Sequence, residues 1–155
     1  MRLFLVAAGI AAVLLLAPAQ AQGPAEVTGM FIVKGICDRL VTPDGDQTAA
    51  CNKVLVLATY SNGRKSYWFS IPKTALISFS GIHESRDAKG GKLDLDLVTV
   101  ATSPNPRGNG GRGSCSFEDP WKGRAHIRCR GSSDAGAFVA EFTTDGQPPK
   151  EPGGQ

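Results

Sequence analysis

Short apolar runs recur along residues 27–143 and are separated by glycine, proline, asparagine and aspartate. The runs are rich in valine, isoleucine, phenylalanine and threonine, and none sustains the 3.6-residue period of an amphipathic helix. This pattern predicts β-strands joined by turns. The predicted strands are residues 27–34, 39–42, 53–60, 65–71, 75–80, 93–102, 114–118, 124–130 and 137–143.

The clearest local turn signal is Asn62-Gly63, which lies between two of these runs. A type I′ hairpin turn needs positive φ at both central residues, and Asn-Gly adopts that conformation readily. With this turn, Val56 faces Phe69 across the hairpin. Both faces of the strand pair are then substantially apolar, which is typical of a strand pair covered on both sides.

Strand follows strand without an intervening helix, so we expect antiparallel pairing. Residues 93–97 alternate leucine and aspartate, which predicts a strand with its leucines inward and its aspartates in solvent. The sequence therefore predicts an all-β fold, either an antiparallel β-sandwich or a small β-barrel of about eight strands.

The first 21 residues have the order of a secretory signal peptide. Arg2 supplies a positive charge, residues 3–17 form an apolar run, and Ala19-Gln20-Ala21 matches a cleavage site. The run would make about 22 Å of helix, short of the roughly 30 Å hydrocarbon core of a bilayer. We predict cleavage after Ala21, export to the periplasm or the medium, and no transmembrane segment in the mature chain.

The mature chain is short enough to form one domain, which we assign to residues 22–143. Residues 144–155 contain no aliphatic or aromatic side chain to bury. They are predicted to be a disordered C-terminal tail.

The mature chain keeps four cysteines, and an even number in an exported protein predicts a disulfide framework. Three connectivities are possible. A turn signal lies midway between Cys37 and Cys51 and between Cys115 and Cys129, which favours two intra-hairpin disulfides. A four-cysteine zinc site usually contains close C-x-x-C pairs, and the sequence has none, so no metal is expected.

The second cysteine pair predicts a register. A symmetric hairpin around residues 119–123 sets Cys115 opposite Cys129 and Phe117 opposite Ile127 on one face. The other face is polar and carries Ser116, Glu118, His126 and Arg128.

Removing residues 1–21 takes away Arg2 alone among charged groups, so 17 basic residues become 16 against 14 acidic ones. This slight excess does not imply a nucleic-acid partner, but six of the basic residues lie within residues 107–130. Glycines in the loop 103–113 would let backbone N–H groups and arginines close around an oxyanion. The candidate anion-binding residues are Arg107, Arg112, Trp121, Lys122, Arg124, His126 and Arg128. The alternative is a solvated hairpin edge whose charges deter aggregation.

Two further patterns do not indicate a cofactor or a catalytic site. Residues 108–113 match G-x-G-x-x-G, but a cysteine-bearing strand follows where a dinucleotide site needs a helix, so no cofactor is expected. His83 and His126 belong to no catalytic motif, and no catalytic residue is assigned.

The sequence thus predicts an exported, non-catalytic envelope module that binds an anionic ligand or protein partner through the basic Gly/Arg-rich loop and the following hairpin. Two alternatives remain open: a hydrolase acting on an envelope polymer, with His83 or His126 as base, and a structural subunit of an envelope assembly. The oligomeric state is left open.

Overall fold

The structure is a computed structural model that describes residues 25–102, 106–107 and 110–153. The predicted signal peptide and the side chain of Arg107 lie outside the described part. The strands are β1 (Val27–Thr42), β2 (Gly45–Asp46), β3 (Val54–Tyr60), β4 (Lys65–Ile71), β5 (Ala75–Gly81), β6 (Glu84–Arg86), β7 (Gly90–Leu95), β8 (Leu97–Ala101), β9 (Pro106–Arg107), β10 (Arg112–Glu118), β11 (His126–Ser133) and β12 (Gly136–Thr144). The helical segments among the described residues are two 3₁₀ turns, Thr48–Ala50 and Pro120–Lys122.

The strands form one antiparallel sheet in the order β6-β7-β10-β11-β12-β1-β3-β4-β5-β8-β9, with β2 paired to β1. The long strand β1 connects the two halves of the sheet. Its residues 27–34 pair with β3, and its residues 35–41 pair with β12. A single strand therefore passes from one half to the other, which requires the sheet to bend sharply along β1.

The sheet bends again where β5 leads into β6 and β7 leads into β8. The backbone N–H of Asp94 donates to the carbonyl of His83 (2.9 Å), and that of Asp96 donates to the carbonyl of Ser80 (3.1 Å). These bonds link the two halves at the end opposite β1. The result is a strongly curled sheet with an inside and an outside.

The prediction of an all-β antiparallel fold is confirmed, but the sheet contains twelve strands rather than about eight. Part of the difference comes from β2, β6 and β9, which are two or three residues long and carry no periodic signal. The predicted pieces 27–34 and 39–42 are one strand, β1, with an irregularity between Cys37 and Arg39. The predicted strand 93–102 is two strands that meet at Asp96.

The break at Asp96 reverses which side chains face inward. Leu93 and Leu95 are buried before it, and Val98 and Val100 are buried after it. Asp94 and Asp96 are exposed, as the alternation predicted. The Asp96 carboxylate accepts two hydrogen bonds from the guanidinium of Arg64, at 2.5 and 3.0 Å, which holds this corner against the β3–β4 turn.

The predicted register of the β3–β4 hairpin is wrong by one residue. Val56 faces Trp68, and Leu55 is the residue that faces Phe69. The cause is the turn: Gly63 has a φ of 80°, whereas Asn62 does not enter the positive region. The loop therefore contains three residues, a type I turn followed by a left-handed glycine, instead of the predicted type I′ pair.

Aromatic side chains fill the inside of the curl. Phe69 makes edge-to-face contacts with Phe79 and Phe142, at centroid distances of 5.7 and 6.4 Å, and Phe79 contacts Phe138 in the same way at 6.4 Å. All four rings are almost completely buried. Because they come from β4, β5 and β12, they join both halves of the sheet into one core.

Both predicted disulfides are present, Cys37–Cys51 and Cys115–Cys129. The second links directly opposed residues of β10 and β11 inside the core, with Phe117 opposite Ile127 as predicted. Disulfides are typical of proteins that fold in an oxidising, exported compartment.

The C-terminal segment lies along β1. Residue Thr144 is the buried end of β12, and beyond it Asp145 donates its N–H to the carbonyl of Lys34 (2.9 Å). Ile32 and Lys150 then exchange two backbone hydrogen bonds, at 2.7 and 3.0 Å. Where the sequence predicts a disordered tail, the structure gives the segment 145–150 these specific backbone partners.

Candidate functional site

The outward face of the β10–β11 hairpin carries the polar side chains that the sequence predicts there. Cys115, Phe117, Ile127 and Cys129 are buried, and the alternate residues Ser116, Glu118 and Arg128 are exposed, with His126 half-buried. Strand β7 pairs with β10 on the far side of this hairpin, so its outward residue Lys92 lies beside Ser116.

These strands enclose a depression of about 390 Å³, which we call the outer groove. Its walls come from the β6–β7 turn and from the outward sides of β10 and β11. The lining residues are Ser85, Arg86, Asp87, Lys89, Gly90, Gly91, Lys92, Ser116, Phe117, Glu118, His126 and Arg128.

Gly91 lets the β6–β7 turn approach the hairpin closely. A Cβ atom at this position would lie 2.6 Å from the Phe117 ring and 2.6 Å from the carbonyl oxygen of Ser85. Any larger residue would push β7 away from β10. The glycine therefore brings the lysines on either side of it, Lys89 and Lys92, next to the hairpin.

Four basic side chains line the outer groove, together with two carboxylates. Asp87 accepts hydrogen bonds from the backbone N–H groups of Lys89 (2.8 Å) and Gly90 (2.9 Å), which hold the pKa of its carboxyl below the usual range. Glu118 accepts a hydrogen bond from the backbone N–H of His126 at 2.9 Å. Both carboxylates that line the groove therefore accept hydrogen bonds from backbone N–H groups.

The four basic groups are held to different degrees. Arg86 bonds to Glu84 and its guanidinium lies 5.1 Å from the centre of the Phe117 ring, and Lys92 pairs with Asp94 at 2.7 Å. Arg128 forms no ion pair within the part of the chain that the structure describes. Its guanidinium is the best-placed fork for an oxyanion in the groove.

A hydrogen-bonded chain orients His126 at one wall of the groove. The hydroxyl of Thr143 donates to Asp38 Oδ2 (2.6 Å) and lies 3.0 Å from Nδ1 of His126. Because that hydroxyl proton is directed to Asp38, Nδ1 is the atom that donates to Thr143. This tautomer leaves Nε2 of the imidazole as an acceptor.

The remaining candidate residues lie apart from His126 and Arg128. Arg112 begins β10, four residues from Ser116 and on the opposite end of the hairpin from the Pro120–Lys122 turn. That turn carries Trp121 and Lys122, and Lys122 pairs with Asp119 at 3.5 Å. Arg124 is exposed on the segment between this turn and β11. Arg107 is placed in β9, paired with Val100, without a described side chain.

Sequence reasoning missed the contribution of the β6–β7 turn. Arg86, Lys89 and Lys92 fall in a stretch that reads as a polar connection, and nothing local shows that it pairs with β10. The adjacent glycines Gly90-Gly91 were the one available signal, since paired glycines often mark close backbone approach.

Comparison with known protein families, curated proteins and solved structures finds no match to this chain. Within residues 25–153, apart from the undescribed positions, no helix is long and apolar enough to cross a membrane.

Proposed function

We propose that the protein is an exported, non-catalytic binding module whose outer groove holds an anionic ligand or an anionic segment of an envelope partner. The observation that carries this proposal is which of the charged side chains in the groove have a partner. Of the four basic side chains that line the groove, Arg86 and Lys92 pair with carboxylates, whereas Lys89 and Arg128 form no ion pair with another described residue. These two cations are free to hold an oxyanion.

The shape of the groove supports a small acidic group or one unit of a longer polymer. A volume of about 390 Å³ lies within the range of small-ligand sites. The groove is open along a sheet face, so an extended chain can pass through it without being enclosed. Phosphate, sulfate and sugar-acid groups fit this description, because each presents oxygens that a guanidinium fork can bind.

The exported setting is part of the same proposal. Two disulfides agree with an oxidising compartment, and residues 1–21 supply the predicted signal peptide. The envelope partner and the choice between periplasm and medium are inferred from this setting.

Retention on heparin and on phosphocellulose tests the groove. The double variant Lys89→Gln/Arg128→Gln removes two groove cations, whereas Lys53→Gln/Arg39→Gln removes two exposed cations that do not line the groove. The groove variant should bind about two- to thirtyfold more weakly, since two exposed charge contacts are each worth about 0.2–1 kcal/mol. The control should elute with the unmodified protein. Equal losses in both variants would reduce the effect to net charge and contradict a groove site.

A second variant tests whether the Gly/Arg-rich loop also contributes to binding. Replacing Arg107 and Arg112 by glutamine removes the two loop arginines and leaves the described groove residues unchanged. If the loop contributes to the same bound polymer, this variant weakens retention on heparin more than retention on phosphate, because only a long chain can reach both sites.

A hydrolase acting on an envelope polymer is the second candidate, and the orientation of His126 favours it. An imidazole with Nδ1 donating and Nε2 accepting is the form of a general base. A screen on peptidoglycan, ester and phosphoester substrates tests this candidate. Activity must be lost in His126→Ala and kept in His83→Ala, and activity that survives His126→Ala removes the assignment.

We infer further that the curled sheet is a small barrel rather than a two-sheet sandwich. Support comes from the bonds that join residues 80–83 to residues 94–96, because they continue the pairing of β5 with β8 into the pairing of β6 with β7 and so join the two halves of the sheet. Counting β5 with β6 and β7 with β8 as continuous strands leaves about eight long strands around the core.

A further inference from the structure

A second concavity opens at one end of the curl, beneath the Pro120–Lys122 turn. It has a volume of about 90 Å³, and it is separate from the outer groove, with which it shares Arg86 and Phe117. Its walls are mainly apolar and include Phe31, Leu57, Ile127 and the ring of Trp121. This space is large enough for several water molecules, and a ligand with a six-membered ring would extend from it to the open mouth.

Trp121 lies at the mouth of this cavity with 48% of its surface exposed. Its ring meets Phe31 edge to face at a centroid distance of 5.5 Å. The side chain of Asp119 accepts a hydrogen bond from the Trp121 backbone N–H at 3.1 Å and so begins the short turn that carries the ring. A large aromatic side chain is thus held half in solvent over an apolar cavity, a placement that is common where a ring stacks on a ligand.

Three charged side chains stand on the cavity wall: Lys65, Glu84 and Arg86. The Glu84 side chain is 8% exposed; it is bonded by Arg86 through Oε1, and Lys65 Nζ lies 2.8 Å from Oε2. Burial alone would raise the pKa of Glu84, but hydrogen bonds and charge from Arg86 and Lys65 outweigh it and hold that pKa below the usual range. Glu84 is therefore ionised at neutral pH, and the triad keeps one net positive charge.

Tyr67 supplies a hydroxyl donor in the same wall. The residue is 8% exposed, and its ring packs 5.8 Å from Phe117. Burial, together with the charge of Glu84, raises the pKa of Tyr67 above its usual range, so the hydroxyl stays protonated. Among the described residues, no hydrogen bond reaches this hydroxyl. The one buried side-chain oxygen without a hydrogen-bond partner among the described residues is Glu84 Oε2, so the free Tyr67 hydroxyl is not sealed from solvent. Because Tyr67 lines the cavity, this hydroxyl can donate to an acceptor bound there.

We propose that this cavity binds a small carboxylic acid with an aromatic or branched aliphatic group, its apolar part under Trp121 and its carboxylate toward the Tyr67 hydroxyl, Lys65 and Arg86. The apolar walls set the body of the ligand, and the net charge of the triad together with the free hydroxyl sets its head group. The site does not rest on the outer groove, because neither Lys89 nor Arg128 lines it.

The test is a titration with three probes of the same size, followed by the two indole N–H signals in NMR. The probes are phenylacetate, benzyl alcohol and benzylamine, which are negative, neutral and positive at neutral pH. Phenylacetate should shift the Trp121 signal saturably and by more than the Trp68 signal, whose indole N–H donates to Ser66 in the cavity wall. Benzyl alcohol should bind more weakly, and benzylamine most weakly, because the triad is positive.

Paired variants locate the head group. Tyr67→Phe keeps the ring and removes the hydroxyl, and Tyr60→Phe makes the same change outside the cavity. Tyr67→Phe should weaken phenylacetate about tenfold, as expected for loss of a hydrogen bond to a charged group. Lys65→Gln removes the positive charge but keeps an amide that can donate to Glu84 Oε2. It should weaken phenylacetate and leave benzyl alcohol unchanged, with Lys53→Gln as control.

Three outcomes would overturn the proposal. The first is no saturable shift of the Trp121 signal with any probe up to about 20 mM. The second is benzylamine binding as tightly as phenylacetate, which would make Glu84 the recognising group. The third is equal effects of Tyr67→Phe and Tyr60→Phe. A failure here leaves the groove proposal standing, since that proposal is tested with Lys89 and Arg128.

Discussion

The two disulfide-closed segments have the same length along the chain and hold different kinds of structure. Each joins cysteines 14 positions apart. Cys115 and Cys129 are opposite residues of a hydrogen-bonded ladder and are fully buried, with Cα atoms 4.0 Å apart. Cys37 lies in β1, but Cys51 follows a 3₁₀ turn and is partly exposed, with the Cα atoms 6.0 Å apart. Equal spacing therefore does not imply an equal role.

The different surroundings of the two disulfides indicate a different role for each. The buried one reinforces a hairpin that its ladder already defines, and it directs His126 and Arg128 outward into the groove. The other ties down a loop whose own contacts include the short β1–β2 pairing and a set of hydrogen bonds around Thr48. We expect the first to matter for global stability and for binding, and the second to matter for local order.

The largest expected effect is removal of the buried disulfide by Cys115→Ala/Cys129→Ala. The chain-entropy contribution of a loop this long is about 3 kcal/mol. The space left in the core adds about 1–2 kcal/mol. Urea unfolding measures the sum, and heparin retention at low temperature should fall with it because the groove loses its hairpin. Full stability and full retention would show that the ladder alone is sufficient.

Removal of the other disulfide by Cys37→Ala/Cys51→Ala should cost at most about 3 kcal/mol, without a large core term. Heparin retention of the folded protein should be unchanged, since neither cysteine lines the groove. Hydrogen exchange should speed up in residues 42–52 before it does elsewhere. If this variant instead loses as much stability as the buried pair, the contrast between the two segments is wrong.

A smaller change tests the hydrogen bonds that hold the Cys37–Cys51 loop. The Thr48 hydroxyl accepts from the backbone N–H of Leu40 (2.9 Å) and donates to Asp46 Oδ1 (2.6 Å). Thr48→Val keeps the shape and removes both bonds, which should cost about 1–2 kcal/mol. Thr99→Val, on half-buried β8, is a control for the substitution itself. The effect should be greater in the chain lacking Cys37 and Cys51, because the loop then depends more on the hydrogen bonds of the Thr48 hydroxyl.

The smallest effect is a pH dependence of the same loop. Hydrogen bonds from the Thr48 hydroxyl, then from its backbone N–H, hold the pKa of Asp46 below its ordinary value of 3.8. A carboxyl whose pKa is lower in the folded state stabilises the fold above its unfolded pKa, and this contribution is lost as pH falls through the folded pKa. The protection of residues 42–52 against hydrogen exchange should therefore fall below about pH 4, and Asp46→Asn should remove this dependence.

The hairpin β10–β11 could be predicted from the sequence because its determinants are local. A turn lies midway between two cysteines, and the apolar and polar alternation agrees with the disulfide register. The β3–β4 register failed for an equally local reason, since Asn62-Gly63 fits both a two-residue and a three-residue loop and the alternation on two apolar faces does not choose between them.

The outer groove and the cavity beneath the Pro120–Lys122 turn could not be predicted, because both depend on long-range strand pairing. Arg86 and Lys89 enter the groove only because β6 and β7 pair with each other and β7 pairs with β10. Likewise Tyr67, Glu84 and Trp121 come from three separate parts of the chain. Composition identified an excess of basic residues near the hairpin, but no local pattern shows which distant strand lies beside it.

The C-terminal segment along β1 has a consequence for self-association. Residues 145–150 occupy the backbone donors and acceptors that β1 would otherwise present near Ile32. A chain ending at residue 144 would expose this edge as a template for strand addition, and a second molecule could supply the missing strand. Truncation after Thr144 should therefore promote strand-exchanged oligomers, whereas a purification tag placed after Gln155 should leave the edge protected.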